Sequence, residues 1–290
     1  MALINIIWGV AFPITKPALN DLPPFSFAFL RFVLSLLILL PLAGRSWIAL
    51  VRGPERWRML LMGMCGFCLV QVAQTLALTM SPAADISLLS TTSPLWITLL
   101  AWPMLGERPD WRGWVGFALA IVGLILVVQP GGATAEAGPQ RLIGNLIFSL
   151  GCIAWALYNV VGKELMTRYD PLAATTAACF LGTIGLVPFA AWEVGSKQAF
   201  HFSMAALLAL LYTALLVTVV GFLVLFWAYR RVSAAQVAIT MYLQPLAGVV
   251  VAWWWLGEPL GAWFIAGAAL VLFGVGLVTW RGEPATTRSS

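Results

Sequence analysis

The sequence predicts an all-α integral membrane protein. It is read as ten transmembrane helices forming two inverted five-helix repeats, with the N- and C-termini cytoplasmic. Three observations carry this reading. First, 61% of the residues are hydrophobic, only 9% are charged, and the mean hydropathy is +0.94, whereas a soluble domain carries about 25% charged residues. Second, 94–127 lies on 245–278 without a gap, at a constant offset of 151. Pro94-Leu95 meets Pro245-Leu246, Ala101-Trp102 meets Ala252-Trp253, and Leu105-Gly106-Glu107 meets Leu256-Gly257-Glu258. Gly116 and Gly123 meet Gly267 and Gly274. Apolar matches are cheap in such a chain; a Pro, a Trp, a Gly-Glu pair and two more Gly in register mark internal duplication. Third, Lys and Arg alternate between successive loops, as the positive-inside rule requires of a correctly counted set of spans.

A spanning helix needs about 20 apolar residues, and ten of them use nearly the whole chain. The expected helices are 2–19, 24–43, 57–79, 84–104, 111–129, 142–163, 172–193, 204–229, 235–256 and 260–280. Pro and Gly punctuate almost every break between them, as at Leu22-Pro23-Pro24, Ser81-Pro82, Pro130 to Pro139 and Gly257-Glu258-Pro259. With the N-terminus cytoplasmic, inside loops and tail hold 12 basic residues: Arg45, Arg52, Arg56, Arg58, Arg108, Arg112, Lys163, Arg168, Arg230, Arg231, Arg281 and Arg288. Outside loops hold 3: Lys16, Arg141 and Lys197. The net charge of +5 is thus read as topology, not as nucleic-acid binding. The division is 1–130 (first repeat), 131–141 (periplasmic linker), 142–280 (second repeat) and 281–290 (cytoplasmic tail). No cleavable signal peptide is read at the start, where no basic residue precedes the first apolar run.

Five helices per half is an odd number, so the halves must face opposite ways in the membrane. Inverted repeats of this kind are typical of secondary transporters, with the substrate site near the midplane between the repeats. The starts of the halves agree at an offset of 147: Trp8, Lys16 and Pro24 meet Trp155, Lys163 and Pro171. Trp8-Gly-Val-Ala-Phe12, Lys16, Pro24, Arg31, Pro94 and Leu105-Gly106-Glu107 together resemble the EamA family of the drug/metabolite transporter superfamily, and within it most of all the bacterial YddG-type amino-acid exporters. The resemblance covers both halves. It implies a two-fold pseudosymmetric carrier in the bacterial inner membrane, with a cavity lined mainly by helices 1, 3, 4, 6, 8 and 9, and helices 5 and 10 peripheral. The second half has no counterpart of Arg31 after Pro171, so any role of Arg31 is not symmetric.

The sequence contains no His-Glu-x-x-His, Gly-x-Ser-x-Gly or Gly-x-x-x-x-Gly-Lys-[Ser/Thr] pattern, and His201 is its single histidine. No enzyme activity, cofactor, metal or ATP-driven motor is expected. Cys65-Gly-Phe-Cys68 has metal or redox spacing but lies within an apolar run and is read as packing, with Cys152 and Cys179. Polar side chains within spans usually face the bundle interior. The candidate substrate cavity is therefore Asn5, Trp8 and Phe12 on helix 1, Gln71 and Gln74 on helix 3, and Thr91 and Thr92 on helix 4. Helix 6 adds Trp155, Tyr158 and Asn159, and helix 9 adds Tyr242 and Gln244. Such a wall of aromatic faces and neutral hydrogen-bonders suits small amphipathic solutes; the same residues could equally bridge helices.

Pro94 and Pro245 interrupt helices 4 and 9 and are read either as hinges or as static kinks. Gly116/Gly123 and Gly267/Gly274 read as close helix packing, and Trp47, Trp57, Trp111, Trp114, Trp192 and Trp280 as an interfacial belt. Glu107 and Glu258 are expected to stabilise the N-termini of the helices that follow them. No carboxylate falls at an expected midplane, which disfavours proton antiport through a titrating acid. Arg31, roughly 10 Å below the outer surface, either snorkels, bonds helix-end carbonyls or meets a substrate carboxylate. The reading is a secondary transporter exporting amino acids or similar metabolites, for which a monomer suffices; its partners are a small-molecule substrate and the lipid bilayer. A carrier of another solute, such as a drug cation or nucleotide sugar, is the alternative. A membrane scaffold or lipid-processing enzyme is the alternative of another class.

Overall fold

The structure is a computed structural model that describes residues 2–105, 111–128, 139–196, 199–224 and 243–279. Within these the chain is helical: α1 (Ala2–Ala18), α2 (Pro24–Ala43), the short α3 (Ser46–Arg52), α4 (Arg56–Met80), α5 (Ala83–Ser90) and α6 (Ser93–Leu105). Then come α7 (Trp111–Val128), α8 (Pro139–Arg168), α9 (Pro171–Gly195), α10 (Met204–Val224), α11 (Leu243–Leu256) and α12 (Ala262–Thr279). α2, α4, α8, α9 and α10 are each long and apolar enough to cross a membrane. Large apolar side chains such as Leu37, Leu150 and Phe273 are exposed on outward faces, as expected of a multi-pass membrane protein.

Local signals start the helices. Pro24 and Pro171 occupy first-turn positions where a missing N–H costs nothing. Asp170 caps α9 through Ala173 N at 3.0 Å, and Ser203 caps α10 through Ala206 N at 3.0 Å. α2 has no side-chain cap of its own. Glu193, from the last turn of α9, supplies one by accepting from Phe25 N (2.9 Å) and Ser26 N (2.6 Å).

Three expectations need correction. The expected helix 84–104 is two helices, because the chain turns at Thr91-Thr92 between α5 and α6. Pro94 lies in the first turn of α6 and lacks the N–H that would continue the ladder. The Ser90 carbonyl that this leaves open accepts from the Ser93 hydroxyl, and Ser90, Thr91 and Thr92 likewise donate three residues back, to the carbonyls of Ser87, Leu88 and Leu89. This is how broken helices survive at membrane depth. Glu258 does not cap its own following helix; it accepts from Ala83 N (2.8 Å) and Ala84 N (2.9 Å) at the start of α5. Arg141 is not in a linker, because α8 already begins at Pro139 and buries it. Glu107, and most of the junction expected between helices 8 and 9, lie outside the described residues.

α7 runs along α12, α1 along α11, and α8 along α5 and α6. α2 packs on α9, α4 on α8, and α10 on α1. Between apolar helices in lipid there is little hydrophobic drive, so close van der Waals approach decides the pairing. The α7–α12 crossing is reciprocal: a Cβ on Gly123 would strike the Gly267 carbonyl, one on Gly267 the Gly123 carbonyl, and one on Gly274 the Gly116 carbonyl. Gly9 and Gly248 bring α1, α11 and Ser87 of α5 together in the same way. One apolar core lies among α2, α4, α8, α9 and α10, and another among α1, α5, α6, α7, α8, α11 and α12. Trp57, Trp111, Trp114 and Trp192 are exposed at helix ends; Trp47 instead packs on the Phe180 ring, 4.8 Å between centroids, and Trp280 lies outside the described residues.

Candidate functional site

Where the two cores meet, α1, α2, α4, α8, α10, α11 and the α5–α6 break surround a cavity of about 200 Å³. The helical repeat aligns one face of α1 on it. Trp8 and Phe12 line the cavity, and Lys16 follows one turn beyond. α8 does the same with Asn159, Trp155, Cys152 and Phe148, and continues to Asn145 and Arg141 beyond the cavity. Phe12 meets Phe148 edge-on at 6.0 Å. Trp8 and Trp155, matched by the offset of 147, both pack on Phe222, at 6.2 and 6.4 Å.

Two of the long helices that line the cavity carry a π-helical segment, Met64–Leu69 in α4 and Tyr212–Val220 in α10. Such segments shift backbone groups out of the regular ladder and are frequent at functional sites. In α10 the Val217 carbonyl accepts from Trp8 Nε1 at 2.9 Å, and Gly221 leaves room for that indole. In α4, Gly66 leaves room for the Tyr158 ring. Cys65 and Cys68 belong to the same segment and are buried in the apolar core.

Among the described residues the polar lining is neutral but for one group. Gln71, Gln74, Ser90, Thr91, Ser93, Asn159 and Gln244 contribute amides and hydroxyls. Arg31 contributes the charge. It is 5% exposed, donating from Nη1 to Gln71 Oε1 (3.0 Å) and from Nε to Thr218 Oγ1 (3.2 Å). It is buried and does not snorkel, and among the described residues it donates to no helix-end carbonyl.

Of the residues expected at the site, Trp8, Phe12, Gln71, Gln74, Thr91, Trp155, Asn159 and Gln244 line this cavity, as does Pro94. Asn5 is fully buried away from it, and Thr92, at 1% exposure, turns its hydroxyl onto the Leu89 carbonyl. Tyr158 stacks behind Trp155, 4.9 Å between centroids, and meets Phe67 edge-on. Pro245 is buried in the first turn of α11, and Tyr242 lies outside the described residues. Sequence reasoning missed Phe32, Phe67, Phe148 and Phe222 as lining, because a phenylalanine in an apolar helix carries no mark of the face it occupies. Arg31 did carry a mark, a charge within a span.

A cluster of charged side chains lies further along α1 and α8, beyond the cavity lining. Beyond Phe12 and Phe148, Lys16 Nζ pairs with Glu258 Oε1 at 3.0 Å and donates to the Ser81 carbonyl at 2.9 Å. Beside it Arg141 grips Asp85 with two bonds, of 2.7 and 3.0 Å, and also donates to the Val127 carbonyl. Asn145 completes the shell around Asp85 at 2.9 Å. These groups join the end of α1 to the starts of α5 and α8 and the end of α11.

Comparison with known proteins fits this geometry. An archaeal chain from Archaeoglobus fulgidus, named an uncharacterized transporter, is 30% identical over 96% of each chain. A protein of Streptantibioticus cattleyicolor named a probable terminal-alkyne amino-acid exporter is 28% identical over 97% of this chain and 92% of its own. A Salmonella typhimurium protein named a probable amino-acid metabolite efflux pump is 24% identical over 94% and 91%. One solved crystal structure shares the fold with a TM-score of 0.67 at 17% identity, covering 95% of this chain and 94% of that one. The family described as EamA-like transporters matches twice, over residues 1–129 and 142–280. With its helices, its central cavity and its two matched halves, the chain belongs to the EamA-like transporter family.

Proposed function

We propose that this protein is a secondary transporter that exports amino acids and related small metabolites across the bacterial inner membrane by alternating access. The observation that carries the reading is the central cavity, where aromatic faces and neutral hydrogen-bonders from both halves enclose a space suited to a small amphipathic solute. The double family match supports ten spans in two inverted repeats. The helix pairing supports it too, since α1 against α11 corresponds under the repeat to α8 against α5 and α6. The cluster of Lys16, Glu258, Asp85 and Arg141 then seals the outer end, and Pro94 and Pro245 flank the places where helices 4 and 9 would pivot. A single chain holds both halves, so a monomer suffices.

The test is uptake of radiolabelled amino acids into proteoliposomes holding the purified protein, with and without an imposed pH gradient. Saturable flux, absent from protein-free liposomes and indifferent to the gradient, is expected of a facilitative carrier with no carboxylate among the described residues of its cavity. No flux for any amino acid overturns the substrate assignment.

A further inference from the structure

Arg31 is a buried cation whose partners among the described residues are all neutral. Gln71 and Thr218 accept from it, and the Phe32 ring centroid lies 5.1 Å from its guanidinium carbon. A buried charge is costly unless an opposite charge pairs with it, and a guanidinium does not shed its proton. The buried carboxylates among the described residues have partners elsewhere: Asp85 in Arg141, Glu258 in Lys16 and α5, Glu193 in the start of α2. Arginine offers five N–H donors in a planar fork. Two are used, and Nη2 has no hydrogen-bond partner among the described residues.

The neighbours hold this fork in place. The Thr218 hydroxyl donates to the Thr213 carbonyl at 3.0 Å within the π-helical segment of α10, which leaves its oxygen to accept from Nε. Gln71 fixes Nη1 from α4. Three helices thus position a guanidinium in the cavity wall, and a planar fork with a free edge is the geometry that carboxylates match. If the group served packing alone, a leucine would join α2, α4 and α10 without the desolvation cost. The lining offers no such anchor for a cation, since Gln74, Asn159, Thr91 and Gln244 present only neutral oxygens to an ammonium.

We infer that Arg31 anchors the carboxylate of the solute, so that the cavity selects small carboxylates with an apolar body and reads the carboxylate, not the ammonium. This rests on the transport reading above. An amino acid and its deaminated acid are then both ligands, whereas the amide of the same amino acid is not.

The test uses the purified wild-type protein and three probes: L-phenylalanine, 3-phenylpropanoate and L-phenylalaninamide. Binding is read by quenching of tryptophan fluorescence, since Trp8 and Trp155 line the cavity, and flux of labelled L-phenylalanine is measured separately in proteoliposomes. The two acids are expected to bind within about tenfold of each other and the amide at least about tenfold more weakly, the factor for losing one charge-assisted hydrogen bond. Arg31→Gln is expected to abolish the preference for acid over amide, and Arg31→Lys to keep part of it. Equal binding of amide and amino acid, or no binding of either acid, overturns the anchor. If Arg31→Gln does not fold, the wild-type series decides alone. Binding of the acids without flux upholds the anchor and removes the transport reading; flux with equal binding of acid and amide does the reverse.

Discussion

Asp85 and Arg141 are 0% and 3% exposed and joined by two hydrogen bonds of 2.7 and 3.0 Å. Replacing Asp85 with asparagine keeps the shape but removes the charge. It also turns an amide donor toward Arg141 or Asn145, both of which donate to the carboxylate. Arg141 then remains buried with only neutral acceptors, the one amide oxygen that is left and the Val127 carbonyl, and its Nη1 has no hydrogen-bond partner among the described residues. Removing one member of a buried pair costs about 3–5 kcal/mol, so Asp85→Asn is expected to lose about 3 kcal/mol or more. Arg141→Met strands the Asp85 carboxylate on Asn145 alone and is expected to lose a similar amount. The double variant buries no unpaired charge and is expected to be less destabilised than the sum of the two by about 2 kcal/mol or more. The assay is reversible unfolding of the four proteins in mixed micelles by increasing sodium dodecyl sulfate, followed by tryptophan fluorescence. Single losses under about 1 kcal/mol, or additivity within about 0.5 kcal/mol, would refute the reasoning.

Other outcomes follow from packing and from the break in the fourth expected helix. Gly123→Val places a branched side chain against the Gly267 carbonyl and is expected to cost about 1–3 kcal/mol by overpacking, measured by the same unfolding assay. Pro94→Ala restores an N–H opposite the Ser90 carbonyl, which Ser93 now occupies. It is expected to stiffen the α5–α6 junction and slow turnover in proteoliposomes while amino-acid binding changes less than about twofold; unchanged turnover leaves only a static kink. Trp155→Ala, which removes a ring stacked on Tyr158 and packed on Phe222, is expected to weaken amino-acid binding about tenfold or more, read by equilibrium binding to detergent-solubilised protein.

The sequence showed most plainly what is periodic. The Gly116/Gly123 and Gly267/Gly274 register became the α7–α12 crossing, because a seven-residue spacing puts both glycines on one face whatever surrounds them. The faces of α1, α4 and α8 were legible to within a turn: Trp8, Gln71, Gln74 and Trp155 line the cavity, whereas Asn5 and Tyr158 sit just off it. Long-range partners were not legible. Local rules assign Glu258 to the helix that follows it, but the fold brings the buried first-turn amides of α5 to it from 175 residues away. Arg141 read as one more loop cation because a charge count says nothing about burial. The Thr91-Thr92 turn was hidden because a threonine hydroxyl that turns back onto its own chain, as these do at the Leu88 and Leu89 carbonyls, reads in sequence like one that faces a cavity. The π-helical segments of α4 and α10 leave no trace in composition or period.

The central claim is that one cavity serves both faces of the membrane in turn. It is tested most directly at Asn159, which lines the cavity and whose side chain, among the described residues, bonds within its own helix, at the Trp155 carbonyl. In a background with Cys65, Cys68, Cys152 and Cys179 replaced, Asn159→Cys would be labelled in oriented vesicles with a membrane-impermeant maleimide added to one side or the other. Alternating access predicts labelling from either side, slowed in both cases by a transported amino acid. Labelling from one side only, at a rate no amino acid alters, would contradict it.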